Sequence, residues 1–386
     1  MKAIRALVPA PETVEAFGIG GPKLQGAGLR AVVDARRLLA MGFSEIVGRL
    51  PEIFGALKAV TREAESRRPE VAVVIDYPDF HFRLARRLKR LGVPVVYFIP
   101  PKVWVWRKSR VNILRERFAR ILCILPFEED FYRQERVPVR YVGNPLIDEL
   151  PLKMTRAEAR AHLGLDAKDS VIAVMVGSRP SELKQHLEIL LASVALTAAR
   201  IGKRLVVLLP FSASSDLNSI SARITDWQAR HPGAKLDLRV SQGDAHECLV
   251  AADAGLIKSG TSTLEAGLLG CPHAVVYKPN WLTRFVFHFL IRYRGPIGLV
   301  NLVAGKRAGD AYLMRELLGR HMSPELVSAE LVSLLTDGSR RAQLERDLQA
   351  LRHKVVGNGE SPSLRAAREI LALRDELRAA PLERQP

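Results

Sequence analysis

Cysteine is scarce in this chain. Cys123, Cys248 and Cys271 are the only three in 386 residues, far apart and each in an apolar context. That excludes a disulfide framework and any zinc-type ligand spacing, and it points to a reducing cytosol. Long apolar runs are missing too. No window holds the ~20 consecutive apolar residues of a membrane span, and the start, MKAIRALVPAPETV, lacks the long apolar core of a signal peptide. A membrane role is therefore expected to be peripheral. No low-complexity segment is present. Acidic residues are outnumbered: 41 Asp+Glu against 58 Lys+Arg leaves a net charge of +17. Such a surplus favours an anionic partner, whether nucleic acid, an acidic membrane surface or a phosphorylated substrate.

What is present begins with ordinary globular material, 48% hydrophobic and 26% charged. The length exceeds the roughly 250–300 residues at which single cores stop growing, so two domains are expected. Short apolar runs alternate with helical periodicity. In the first part, 71–75, 93–99, 121–125 and 139–142 read as buried strands, with 16–19 a shorter one. Helices are expected up to about 67 and at 80–91, 110–120 and 127–136. A linker at 143–152 leads to strands at 171–176, 204–209, 235–240, 254–258 and 274–277. Helices at 181–200, 216–230, 244–252 and 263–269 lie between them, followed by a long helical region. This alternation predicts an α/β fold of two Rossmann-like, doubly wound parallel-sheet domains facing a cleft, with ligands at the carboxyl ends of the strands. The expected divisions are 1–148, 149–355 and a helical tail over 356–386.

The stretch Ala254-Gly-Leu-Ile-Lys-Ser-Gly-Thr-Ser-Thr-Leu-Glu265 organises the second domain. A buried strand runs through Lys258, Ser259, Gly260, Thr261 and Ser262 into a helix. Free N–H groups and the positive end of the dipole make such a junction an anion site for which phosphate is the usual guest. Glu265, in the first helical turn, suits a pair of sugar hydroxyls; an ordinary capped helix with a solvated Glu fits the same letters. Val176-Gly177-Ser178-Arg179 ends the first strand of that domain. Gly177 permits close approach there, and Arg179 suits bidentate contact with a diphosphate, or solvent. Glu182 and His186 lie one turn apart without a third ligand, so no metal site is expected.

In the first domain, Ile75-Asp-Tyr-Pro-Asp-Phe80 ends a strand. Asp76 is placed to act as a general base on a hydroxyl or to serve as a loop residue; Asp79 is placed to cap the next helix, with His81 beside it. Pro101-Lys-Val-Trp-Val-Trp-Arg-Lys-Ser-Arg110 interleaves tryptophan with basic residues, but no nucleic-acid module surrounds it, so no nucleic-acid partner is expected. Residues 281–294 form the most membrane-like stretch. Arg284, His288 and Arg292 make one stripe, with Trp281, Phe285 and Phe289 opposite or beside it. That pattern suits a helix lying in a membrane surface, or a buried packing helix. Met41 and Phe43 are read as a second apolar contact.

These pieces, in order, resemble the lipid-A-disaccharide synthase family, inverting glycosyltransferases of the two-domain GT-B type. The resemblance runs through Gly20-Gly-Pro22, Met41-Gly-Phe43, Ile75–Phe80, Val103-Trp-Val-Trp-Arg107, Leu125-Pro-Phe-Glu128, Val142-Gly-Asn-Pro-Leu-Ile-Asp148, Gly177-Ser-Arg179, Lys258–Glu265 and Asn301-Leu-Val-Ala-Gly305. It implies transfer of 2,3-diacylglucosamine from UDP-2,3-diacylglucosamine to 2,3-diacylglucosamine 1-phosphate, releasing UDP. Asp76 would be the base on the acceptor 6-hydroxyl and Arg179 the donor-diphosphate arginine. Ser259, Gly260, Thr261 and Ser262 would cradle phosphate, Glu265 would hold the ribose, and Asn301 would lie near the nucleotide. No metal or other cofactor is implied. An anionic membrane surface is the implied partner at the cytoplasmic face of the inner membrane, and a homodimer is an allowed assembly.

The family's first strand and its Gly-Glu-x-Ser-Gly-Asp loop have no counterpart, which predicts a gap or raw edge in the N-terminal sheet. Val176, Lys102 and His81 stand where Pro, Ser and Asn are usual. Two alternatives follow: a non-catalytic paralogue that binds lipid or nucleotide, and another UDP-sugar enzyme such as a 2-epimerase.

Overall fold

A computed structural model describes residues 1–38, 50–104, 109–213, 215–279, 293–357 and 359–379. The chain divides into two compact units, Met1–Asp148 with Asn358–Pro386, and Glu149–Gly357.

The first unit holds two parallel sheets. β1 (Phe17–Gly20) pairs with β2 (Arg30–Asp34), while β3 (Ala72–Ile75), β4 (Val95–Phe98), β5 (Arg120–Cys123) and β6 (Val139–Tyr141) pair in that order. Strand period explains how the larger sheet is buried on both faces. Val95 and Tyr97 of β4, with Ile121 and Cys123 of β5, face one core; Val96 and Leu122 face another. Helices Leu50–Arg67, Pro78–Arg90 and Arg110–Arg117 cover the first face, through Leu57, Leu88 and Leu114 among others.

The second face is closed by Ala366, Ile370 and Leu373 of the helix Pro362–Ala379. Arg120 reinforces this contact by reaching the Glu369 carbonyl oxygen at 3.0 Å and the Glu376 carboxylate at 2.7 Å. The segment expected as a separate helical tail is thus part of the first unit.

β3 ends the four-stranded sheet, and Val73 and Ile75 on it are 37% and 44% exposed. Among the described residues no strand pairs with the outer side of β3, an open sheet edge of the kind natural sheets usually cover.

In the second unit β7 (Val171–Met175), β8 (Leu205–Phe211), β9 (Leu236–Gln242), β10 (Ala254–Lys258), β11 (His273–Tyr277) and β12 (Glu316–Leu318) form one parallel sheet. Its order is β12-β11-β10-β7-β8-β9. Connections after β7 build outward through β8 and β9, then jump back to β10 on the other side of β7. The switch point therefore lies between β7 and β10, where such folds leave a crevice beyond the strand ends.

Helix Pro180–Ile201 packs against helix Pro324–Thr336, where the buried Thr197 hydroxyl donates to Ser328 Oγ at 3.1 Å. Two strands lacked a sequence signal. β2 carries only a short apolar run, and three-residue β12 falls within a stretch that reads as helical.

Ile370→Ala should lower unfolding free energy by about 3 kcal/mol, through lost burial and the cavity left behind. Limited proteolysis should then cut first within 1–148. A denaturant curve that did not move would separate this helix from the first unit.

Candidate active site

Beyond the carboxyl end of β7 the chain turns through Val176-Gly177-Ser178-Arg179 into helix Pro180–Ile201. Gly177 has φ +117°, a region costly for any residue with a Cβ. A Cβ there would also clash with Glu182 Oε2. That close approach has a purpose. Glu182, on the first turn of the helix, folds back so that Oε2 accepts from the amides of Ser178 at 3.1 Å and Arg179 at 3.3 Å. Its Oε1 takes the Lys258 ammonium at 2.8 Å, from the end of β10.

Burial opposes ionisation of this carboxyl, but the Lys258 charge and the Arg179 amide outweigh it and hold the pKa below the ordinary value. The Arg179 guanidinium is held only loosely, 3.8 Å from Glu182 Oε1, and its side chain is 68% exposed. That contact leaves the guanidinium mostly open to solvent. Lys258 also sits 5.5 Å above the Tyr277 ring at the end of β11.

Fully buried His186 fixes the same corner. Lys278 N donates to its Nε2 at 3.1 Å, so the proton resides on Nδ1, which donates to the Val176 carbonyl at 3.0 Å. Burial keeps this ring neutral. Glu182 and His186 are thus bound to the loop rather than to each other.

The loop 258–262 enters helix Ser262–Leu268 with the Gly260 and Thr261 side exposed. Among the described residues the amides of Gly260, Thr261 and Ser262 have no protein acceptor, which leaves them for an anion. Ser259 donates its hydroxyl to the Ile297 carbonyl at 3.0 Å. Thr263, buried one residue into the helix, donates to Gly260 O and accepts from Leu299 N at 3.0 Å.

Asn301 is fully buried. Its Nδ2 donates to Met314 O at 2.8 Å and to Glu316 Oε1 at 2.9 Å, and its Oδ1 accepts from Met314 N. Glu316 in turn accepts from the amides of Ile297 and Gly298. These bonds brace the segment 297–316 that Ser259 and Thr263 of the loop contact.

Glu265 pairs with a residue that sequence reasoning missed. His246 Nε2 lies 3.3 Å from Glu265 Oε2. Nineteen residues separate them, and nothing in local spacing signals the contact. The hydrogen bond to Glu265, foremost, raises the His246 pKa above 6.5 against the effect of burial.

In the first unit Asp76 follows β3 on left-handed backbone, φ 52°, with Tyr77 also left-handed at φ 46°. Two successive non-glycine residues there store strain of roughly 1–3 kcal/mol each. Tyr97 Oη holds the turn by donating to the Asp76 carbonyl at 2.9 Å. The Asp76 side chain is exposed and has no partner among the described residues. Asp79 does not cap the helix; its carboxylate pairs with Arg110 at 2.6 Å.

His81 Nε2 sits 3.2 Å from Ile75 O, its Nδ1 is buried without a partner, and burial pushes its pKa down to about 4. It is a neutral ring, bound to backbone rather than to the Asp76 carboxylate. Met41, Phe43, Trp281, Phe285 and Phe289 lie outside the described residues.

Two outcomes test this geometry. Gly177→Ala should cost about 1–3 kcal/mol in a denaturant titration, because the loop must move off Glu182; an unchanged midpoint would refute the pinning. His246 should titrate above 6.5 by proton NMR and fall back when Glu265→Gln removes the charge. A raised folded-state pKa means that this contact stabilises the fold fully below pH 6.5 and fades as pH rises through the folded value.

Known proteins place the chain. The family model described as Lipid-A-disaccharide synthetase matches residues 1–371. The lipid-A-disaccharide synthase of Anaeromyxobacter dehalogenans is 42% identical over 360 residues, 93% of this chain and 89% of that protein. That of Myxococcus xanthus is 36% identical over 358 residues, 92% and 89%. Among solved structures, Acinetobacter baumannii MurG superposes with TM-score 0.56 at 12% identity, covering 93% of this chain and all of that one. Anabaena Alr3699/HepE in complex with UDP gives 0.53 at 10% identity, covering 95% and 98%. At such identities the structural likeness speaks for the fold alone. The chain therefore belongs to the lipid-A-disaccharide synthetase family, glycosyltransferases of the GT-B fold.

Proposed function

We propose that this chain performs the reaction for which its family is named, transferring 2,3-diacylglucosamine from its UDP carrier to the 6-hydroxyl of 2,3-diacylglucosamine 1-phosphate. The observation that carries the reading is the pinned corner at the β7/β10 switch point. There Glu182 holds Lys258 and the Gly177 loop together, leaving Arg179 and the 260–262 amides open to a diphosphate.

In this reading the donor pyrophosphate lies against those amides and Arg179, and Glu265, oriented by His246, holds the ribose hydroxyls. Asp76 takes the proton of the acceptor 6-hydroxyl as that oxygen attacks the anomeric carbon. The bond from the anomeric carbon to the diphosphate oxygen breaks on the opposite face, so the configuration inverts and UDP departs with the electron pair. Arginine and backbone dipoles meet the charge that develops on UDP. The Tyr97 hydroxyl, donating to the Asp76 carbonyl, keeps the strained Asp76–Tyr77 turn from relaxing into a helix or strand.

Among the described residues no helix is long and apolar enough to cross a membrane. The proposed setting is peripheral, at the cytoplasmic face of the inner membrane where acylated sugars reside. A homodimer and the division into an acceptor-side first domain and a donor-side second domain belong to the same proposal. Neither a non-catalytic paralogue nor a 2-epimerase gains an observation of its own.

Incubation of the purified protein with both acylated sugars should release free UDP. Asp76→Asn and Arg179→Ala should each lower turnover on the order of 100-fold or more, the usual worth of a general base or a charge-stabilising donor. No UDP release from the unaltered chain would overturn the activity. Wild-type rates in either variant would overturn the role given to that residue.

A further inference from the structure

Asp76 lies in a gap between two regular elements. Pairing of β3 with β4 ends at Ile75 and Phe98, so the ladder no longer directs the backbone beyond that point. The next helix begins only at Pro78. Asp76 and Tyr77 span the interval with positive φ at both residues. Such a stretch keeps its conformation only where its surroundings over-determine it.

Two rings do so here. His81 Nε2 lies 3.2 Å from the Ile75 carbonyl oxygen. Tyr97 Oη donates to the Asp76 carbonyl at 2.9 Å, and burial keeps that phenol protonated. Ile75 O belongs to the peptide plane before the Asp76 Cα, and Asp76 O to the plane after it. With both planes held, φ and ψ of Asp76 are fixed, and so is the direction of its Cα–Cβ bond.

His81 is fitted to its half of this clamp. A carbonyl oxygen can only accept, so Nε2 carries the proton; burial keeps the ring neutral, which leaves Nδ1 a bare lone pair. The His81 backbone N–H donates to Tyr77 O at 3.2 Å, so the residue also grips the far side of the strained pair. Its ring stands edge-on to Phe80, Tyr97 and Tyr77, with centroids 5.4, 6.2 and 6.4 Å away. Those neighbours resist rotation of the imidazole away from Ile75. Packing alone would favour an apolar side chain in this shell. Burying Nδ1 without a partner costs at least as much as one neutral hydrogen bond returns.

We propose that His81 is a positioning residue for the transfer: by holding the Ile75 carbonyl while Tyr97 holds the next one, it aims the Asp76 carboxylate at the acceptor hydroxyl. The proposal rests on Asp76 being the base in the reading above. His81 itself takes no proton and touches neither sugar.

Initial rates of UDP release, measured across acceptor concentration and pH, test it. His81→Leu fills most of the ring's space and removes the donor. Its kcat should fall on the order of 10-fold or more while the acceptor KM stays within about two-fold, as for a misplaced reacting group. His81→Gln, whose amide nitrogen reaches about as far as Nε2, should restore most of kcat. The acid limb of its pH profile should stay where the unaltered chain has it, because the proton still goes to Asp76. In the Asp76→Asn background His81→Leu should add no further loss, since the ring acts only through that carboxylate.

A wild-type kcat in His81→Leu would overturn the proposal, as would an additive loss in the Asp76→Asn background. Disappearance of the acid limb in His81→Gln would also overturn it, by making the ring the proton acceptor. Should His81→Leu melt early, His81→Gln decides: a low kcat at an unchanged melting temperature would overturn the role. Wild-type rates in Asp76→Asn would remove the base itself and this proposal with it. A slow Asp76→Asn beside a fast His81→Leu would remove this proposal alone.

Discussion

One buried carboxylate holds the candidate site of the second unit together. Glu182 is enclosed to 9% exposure yet stays ionised, because two backbone amides and an ammonium reach it at once. Removing a partner from so enclosed a charge typically costs about 3–5 kcal/mol, far more than any exposed pair contributes. The contact ties the end of β10 to the loop after β7, and it explains why residue 177 has no side chain. Where a Cβ would sit, Glu182 already does.

A second layer supports the first without touching open space. Asn301 bonds both sides of Met314 and one oxygen of Glu316, which in turn takes the amides of Ile297 and Gly298. Ser259 and Thr263 reach this segment from the anion loop. The amides left free at 260–262 are therefore carried on backbone that is braced from behind, the condition for a donor group to keep its direction when charge develops. The first unit solves the same problem differently. At Asp76 and Tyr77 the backbone occupies a costly region, and a buried tyrosine hydroxyl keeps it there.

Much of this was legible in the letters because buried parallel strands leave short, nearly continuous apolar runs. β7, β8 and β10 announce themselves that way, and helices between them follow from 3.6-residue periodicity. β2 does not, because Arg30 and Asp34 leave it an apolar run of only Ala31, Val32 and Val33, and three-residue β12 is too short to show a period. The anion loop was legible as a glycine among hydroxyls between a strand and a helix. His246 was not, since its partner Glu265 is reached only after β10 brings the chain back. Asn301 was legible as a polar residue inside an apolar run, but its bonds to Met314 and Glu316 were not, because they join residues 13 and 15 positions away. The helix Pro362–Ala379 was visible as a helix; its place on the face of β4 and β5 was not, since nothing local says which sheet an apolar stripe will cover.

Sequence alone determined the class of fold, the alternation, the strand-to-helix junctions and the chemistry those junctions offer. Each is set by period, by glycine and by residue type within a few positions of one another. Only the tertiary structure decided the strand order that puts β7 beside β10 and the pairing of Glu182 with Lys258 and of His246 with Glu265. Those depend on which distant surfaces are buried against each other, and burial is a property of the packed chain rather than of any stretch of it.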